Sequence, residues 1–365
     1  MIKKEHKAIL EIIKSSVKKK QSDKLLAILE DKSLNWIEIL GHLCYHRIAG
    51  LAYETLRSIQ VRELDFPVFF TLYMIHQAQS IRTELQKKYI KIISLVLCRA
   101  NIDHAFLKGA VLSSIIYPLG ARVSNDIDIL VRKESIQNVE KILYRLKFLQ
   151  GQYDYKKDVI EKFGQDTITW LIKNRGVMAP FVKITNKQTL KTIDIDINFS
   201  LDGRPGDYNE EAVNHFLKER ILIPFNNNFS IYSLKKEHLF IHLCNHFYKD
   251  VASIDIIKKR KVLDLYKLVD IYIFIQKYFK EINPEIIYYD SIKFGFDRCV
   301  LFALNYIIKV FPDILAIKNV NVLRKKYNYT TDKLKMKNRN DLIKILFSYN
   351  TIKELKIFFK DINEK

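Results

Sequence analysis

The stretch Asp126-Ile127-Asp128-Ile129-Leu130-Val131 constrains this chain more than any other. In a strand successive side chains point to opposite faces, so Asp126 and Asp128 stand together on one face while Ile127 and Ile129 enter a core. Two carboxylates at that spacing repel unless a cation lies between them. A hard divalent ion with oxygen ligands meets that need, and Mg²⁺ leaves room for water and for substrate phosphates. The preceding residues fit the same chemistry. Ala105 to Leu107 reads as a short strand, Lys108-Gly109 as a tight turn, and Ala110 to Tyr117 as a helix whose free N–H groups attract an anion. Gly109 lets a phosphate approach the backbone closely, and Lys108 adds positive charge at the same spot.

A second acidic strand follows. Phe181 to Ile184 and Leu190 to Phe199 read as strands joined by a turn over residues 185–188. In the later strand Ile193, Ile195, Ile197 and Phe199 form an apolar face, and Asp194, Asp196 and Asn198 share the other. A metal site on the first strand needs a further carboxylate, and both Asp196 and Asp194 are candidates, with Asp196 preferred. An isolated Asp-x-Asp on an edge strand is commonly a solvated face. Two such strands, apolar flanks and the Lys-Gly turn favour a site.

The strings Leu107-Lys108-Gly109-Ala110, Tyr117-Pro118, Gly120-Ala121-Arg122 and Asn125-Asp126-Ile127-Asp128-Ile129-Leu130-Val131 resemble the nucleotidyltransferase-like family of bacterial proteins in the polymerase-beta-like superfamily. Its members often sit in natural-product and modified-peptide gene clusters. The resemblance implies an α+β fold: a polymerase-beta-like core of a small mixed sheet with helices, over residues 101–200. It also implies flanking helical regions at 1–100 and 201–365. Asp126, Asp128 and Asp196 would be catalytic and would hold two Mg²⁺ ions, with Mn²⁺ as a substitute. Lys108, Gly109, Arg122, Ser124, His246 and Arg260 would bind the nucleotide, with Asp264 one helical turn from Arg260. The sequence departs from the family pattern at Ala110, where a small hydroxyl residue is usual, and at Asn198, where His is usual. Lys108 and Arg122 would compensate for the lost hydroxyl contact. The implied reaction moves a nucleoside monophosphate from a triphosphate, ATP being favoured, to a hydroxyl or phosphate of a small molecule or peptide, releasing pyrophosphate.

The rest of the chain is mainly helical by period. Residues 4–29 form a basic amphipathic segment, residues 35–51 a further helix, and residues 66–99 one or two more, with Pro67 suited to a first turn. Ser135 caps a helix carrying Ile136, Val139, Ile142, Leu143 and Leu146. Residues 150–176 are polar and mixed, without a clear period. After the break at residues 202–207, Ser233 to Glu237 resembles a capping box. His42 and His46 stand four apart but lack a third ligand in sequence, so they read as packing or surface residues. His238, His242 and His246 line one stripe. The first and third would lie about 12 Å apart, which a single zinc ion cannot bridge.

Four cysteines lie far apart in apolar surroundings, the pattern of buried reduced thiols. No apolar run is long enough to span a bilayer, and the amino terminus lacks a secretory apolar region, so a cytoplasmic protein without membrane insertion is expected. A length of 365 residues suggests more than one domain, and the net charge of +20 raises nucleic acid as a less favoured partner. Two rivals follow: a non-catalytic RNA-binding or regulatory protein on the same fold, and a metal-dependent glycosyltransferase. The latter normally carries its Asp-x-Asp in a loop and leaves the second acidic strand unexplained.

Overall fold

The computed structural model describes residues 2–18, 22–59, 65–187, 190–201, 209–226, 228–252, 264–328 and 339–347. Five helices come first: α1 (Lys4–Ser15), α2 (Asp23–Leu29), α3 (Trp36–Tyr45), α4 (Ala49–Arg57) and α5 (Phe66–Arg99). Next come β1 (His104–Phe106), α6 (Lys108–Ile115), β2 (Asp126–Val131), α7 (Ile136–Arg145), β3 (Leu149–Asp154), β4 (Val159–Lys162) and α8 (Gln165–Arg175). The strands β5 (Phe181–Lys187) and β6 (Leu190–Asn198) lead to α9 (Glu210–Lys218), β7 (Ile221–Asn226) and β8 (Phe229–Ser233). Helices α10 (Lys236–Ala252), α11 (Leu265–Tyr278), α12 (Pro284–Lys293), α13 (Asp297–Val310), α14 (Lys318–Asn328) and α15 (Arg339–Phe347) complete the described chain. No helix among the described residues is long and apolar enough to cross a membrane.

The chain divides into two compact units, one of Met1–Gln79, Gly120–Arg122 and Phe240–Lys365, the other of Ser80–Leu119 and Val123–Leu239. The first is helical. Asn35 caps α3 by accepting from the Glu38 amide at 3.0 Å, and Asn283 caps α12 by accepting from Glu285 at 3.0 Å, with Pro284 in its first turn. Gly50 is required by close approach: a Cβ there would lie 2.1 Å from the Gly120 carbonyl oxygen and 2.3 Å from Gln79 Oε1. In the same unit the buried Arg122 donates to Asp270 through Nε at 2.9 Å and Nη2 at 2.7 Å.

The second unit holds an eight-stranded mixed sheet in the order β4-β3-β5-β6-β2-β1-β8-β7. Alternation in β2 and β6 dictates its centre: Ile127, Ile129, Ile193, Ile195 and Ile197 are each at most 1% exposed, and the residues between them on β6 are half-buried. The two strands pair in parallel, Asp126 opposite Asp194 and Asp128 opposite Asp196. Strand β1 lies antiparallel to β2 on its other side, and β8 lies parallel to β1.

Several expectations need correction. Residues 150–176 supply most of β3, all of β4 and α8, which ends at Gly176 with φ 61°. Residues 221–233, expected within a helical region, form the hairpin β7–β8. Pro224 is tolerated because β7 is the edge strand. Ser233 closes β8 and its hydroxyl donates to the Leu234 carbonyl, so it does not cap α10. The Ser135 side chain makes no capping bond, because a short 3-10 turn over Lys133–Ser135 runs directly into α7. All four cysteines are free thiols, but only Cys244 and Cys299 are buried; Cys44 and Cys98 are exposed.

Candidate active site

The site grows from the pairing of β2 with β6. Because a parallel pair keeps side chains in step, the two Asp-x-Asp segments put four carboxylates on one face in a two-by-two array. Asp128 is 3% exposed, and Asp126, Asp194 and Asp196 are half-buried. Burial, then the charges of Asp126 and Asp128, push the Asp196 carboxyl up to about 8, against a weaker opposing effect of Lys108. Asp194 is also raised, by burial, but its neighbours differ: Thr192 hydrogen-bonds to it and Arg82 stabilises its charge. Thus Asp196 feels the β2 pair directly, whereas Asp194 leans on α5.

Lys108 answers the cluster. Its ammonium donates to Asp128 Oδ1 at 2.6 Å. Burial opposes that charge, yet Asp128, Asp126 and Asp196 together hold the lysine above its ordinary value. Its backbone is equally committed: Lys108, the first residue of α6, has φ 41°, so the left-handed turn falls on the lysine and not on Gly109, which lies within the helix. The helix therefore starts two residues earlier than Ala110. Asn198 donates to Asp128 Oδ1 at 3.5 Å and to the Asp196 carbonyl at 3.3 Å, bridging the two strands. Ser124 donates to the Asp126 carbonyl at 2.8 Å, and its own carbonyl accepts from Gln86 at 3.0 Å.

Beside Asp126 a shallow crevice is lined by Thr83, Gln86 and Lys87 of α5, Gly109 and Ser113 of α6, and Ser124. Sequence reasoning did not single out this α5 face. Its signal was present: Arg82 with Gln86, and Thr83 with Lys87, stand four apart, the spacing that puts polar groups on one side of a helix otherwise buried through Ile90, Ile93 and Leu97.

Asp126, Asp128, Asp196, Lys108, Gly109 and Ser124 thus belong to one unit. Arg122 and His246 belong to the other, where Arg122 is held by Asp270 and the His246 ring stands 6.5 Å from that of His242. Arg260 lies outside the described residues. The donor set fits a divalent cation: hard oxygen ligands from two strands, and a buried Asp194 Oδ1 without a hydrogen-bond partner among the described residues.

Fold and site together define a mixed α/β protein that gathers acidic groups on the face of a parallel strand pair. The chain belongs to the family of uncharacterised nucleotidyltransferases, whose profile matches residues 32–312. Among curated proteins none matches. Among solved structures, an antigenic nucleotidyltransferase-like protein from Paracoccidioides brasiliensis is 13% identical, with 65% of this chain and 92% of that one covered and a TM-score of 0.34.

Proposed function

We propose that the protein is a Mg²⁺-dependent nucleotidyltransferase with a polymerase-beta-like core, and that Asp126, Asp128 and Asp196 are its catalytic carboxylates. The observation that carries this reading is the in-register parallel pairing of the two acidic strands, where burial and then the charges of Asp126 and Asp128 raise Asp196 to about 8. Divalent ions held by these three residues would neutralise the array, lower the acceptor's pKa and stabilise charge on the phosphate oxygens. Asp196 orients the acceptor hydroxyl and takes up its proton. The hydroxyl oxygen then bonds to the α-phosphorus of the triphosphate as the bond to the bridging oxygen breaks, and pyrophosphate departs. Backbone N–H groups at the start of α6 face the β and γ phosphates, and Lys87, lining the crevice beside Asp126, adds a cation for them. Asn198 holds Asp128 and β6 in register. Lys108 balances the carboxylates before the ions arrive and turns to phosphate afterwards.

Purified protein is incubated with Mg²⁺, each α-labelled nucleoside triphosphate in turn and a metabolite and peptide extract, with UDP-sugars in parallel. The expected result is α-label in an adduct, together with pyrophosphate release, and both are lost in Asp128→Asn. Sugar transfer from a UDP-sugar, or undiminished release in that variant, rejects the reading. The net charge of +20 favours a second one, RNA binding without catalysis. It predicts salt-sensitive RNA binding that survives Asp128→Asn.

A further inference from the structure

His42 lacks a third ligand within its own helix, but folding supplies one from elsewhere in the helical unit. His6 on α1 meets Glu38 and His42 on α3. The Nε2 atoms of His6 and His42 stand 3.9 and 3.8 Å from Glu38 Oε1, and the three donor atoms all lie within 4.8 Å of one another. We propose that His6, Glu38 and His42 form a zinc site, separate from the acidic sheet, that pins α1 to α3.

Two imidazoles and a carboxylate are borderline ligands that select zinc over Mg²⁺. Bonds of about 2.0–2.1 Å in a tetrahedron put donors roughly 3.3 Å apart, so the two measured edges need to close by only about half an ångström. The histidines are 7% and 2% exposed, and His6 Nε2 has no hydrogen-bond partner among the described residues. A buried nitrogen left without a partner and aimed at two other donors is costly unless something occupies the gap. Phe347 of α15 stacks on His6 at 4.4 Å and meets His42 edge-on at 5.3 Å, closing the apolar side. The opposite side is open at Glu38, whose side chain is 26% exposed, leaving the fourth position to water. Lys3, itself 62% exposed, donates to Glu38 Oε1 at 3.0 Å and so stands where a cation belongs. Burial lowers His6 to about 4, which keeps the ring neutral and ready to ligate at neutral pH. A second triad, His215, Glu219 and His238, is less suited because His215 is partly exposed.

The test uses the full-length untagged protein, stripped with chelator and titrated with Zn²⁺ against a chromophoric competitor, with Co²⁺ as the spectroscopic probe. About one equivalent of Zn²⁺ and the intense visible bands of tetrahedral Co²⁺ are expected. His6→Ala and Glu38→Gln should each weaken binding about tenfold or more, while removing the competing ammonium in Lys3→Ala, an exposed change that leaves the fold intact, should tighten it. Asp128→Asn should leave zinc binding untouched. The proposal is overturned if the parent protein binds no Zn²⁺ in this competition, or if Co²⁺ bands persist unchanged in His6→Ala, which would place the metal elsewhere.

Discussion

Removing Asp196 should stabilise the metal-free protein. In the unfolded chain this carboxyl titrates near its ordinary 3.8, whereas in the fold it titrates at about 8. Between those values the folded state binds more protons than the unfolded one, so stability falls as pH rises across the window. The rise from 3.8 to about 8, at about 1.4 kcal/mol per pH unit, sets a ceiling of about 6 kcal/mol for the penalty above pH 8. Asp196→Asn keeps the shape of the neutral acid and escapes the penalty. Urea unfolding in chelator, followed from pH 4 to pH 8.5, should therefore show parent and variant similar at the acidic end. The variant should gain steadily toward the basic end, by several kcal/mol at most. Titrating groups remote from the cluster are common to both proteins and cancel in the difference. Adding Mg²⁺ should recover the parent's deficit at high pH and move the variant, which has lost one of three carboxylates, by less. A flat difference across the range, or a variant that loses stability at high pH, would refute the claim that these carboxylates crowd one another.

Lys108→Met removes the ammonium that stands 2.6 Å from Asp128, so metal-free stability at pH 8 should fall further and rise again on titration with Mg²⁺, as thermal melts will read. Asp126→Asn should abolish α-label transfer while circular dichroism stays unchanged, since Asp126 is half-buried and lies at the end of its strand. Arg122→Met strands the buried Asp270 without its bidentate partner and should cost about 3–5 kcal/mol by denaturant titration. Gly50→Ala drives a methyl to within 2.1 Å of the Gly120 carbonyl and should cost about 1–3 kcal/mol, seen as a drop in the melting midpoint.

What could be read in advance follows from the range over which each signal acts. The alternation of Asp and Ile in β2 and β6 is local, and it identified both acidic faces. Their register is not local: nothing in either strand says that Asp128 meets Asp196 and Asp126 meets Asp194. The hairpin β7–β8 was lost because Ile221-Leu222-Ile223 alternates poorly and Pro224 argues against a strand, an objection that fails only at a sheet edge. Lys108 looked like a phosphate ligand by its place in the turn. Its engagement by Asp128 depends on a strand that comes later in the chain. Arg122 is a nucleotide contact only by the family resemblance, and its pairing with Asp270, 148 positions away, could not be read from the sequence. The triad of His6, Glu38 and His42 was half visible, since Glu38 and His42 share a helix face four apart, but His6 reaches them only through tertiary packing.

The strand pairing also governs when the site comes into being. Asp128 and Asn198, which touch across β2 and β6, stand 70 positions apart in the chain. A parallel partner cannot be recruited by a short hairpin, so α7, β3, β4, α8 and β5 must all be traversed before the second acidic strand arrives. A chain emerging from the ribosome holds Asp126-Ile127-Asp128 with one flank of its strand unpaired until β6 has been made, and closure of so long a loop is slow. Until then the carboxylates of β2 repel only each other, and the crowding that Asp194 and Asp196 add enters at that last step.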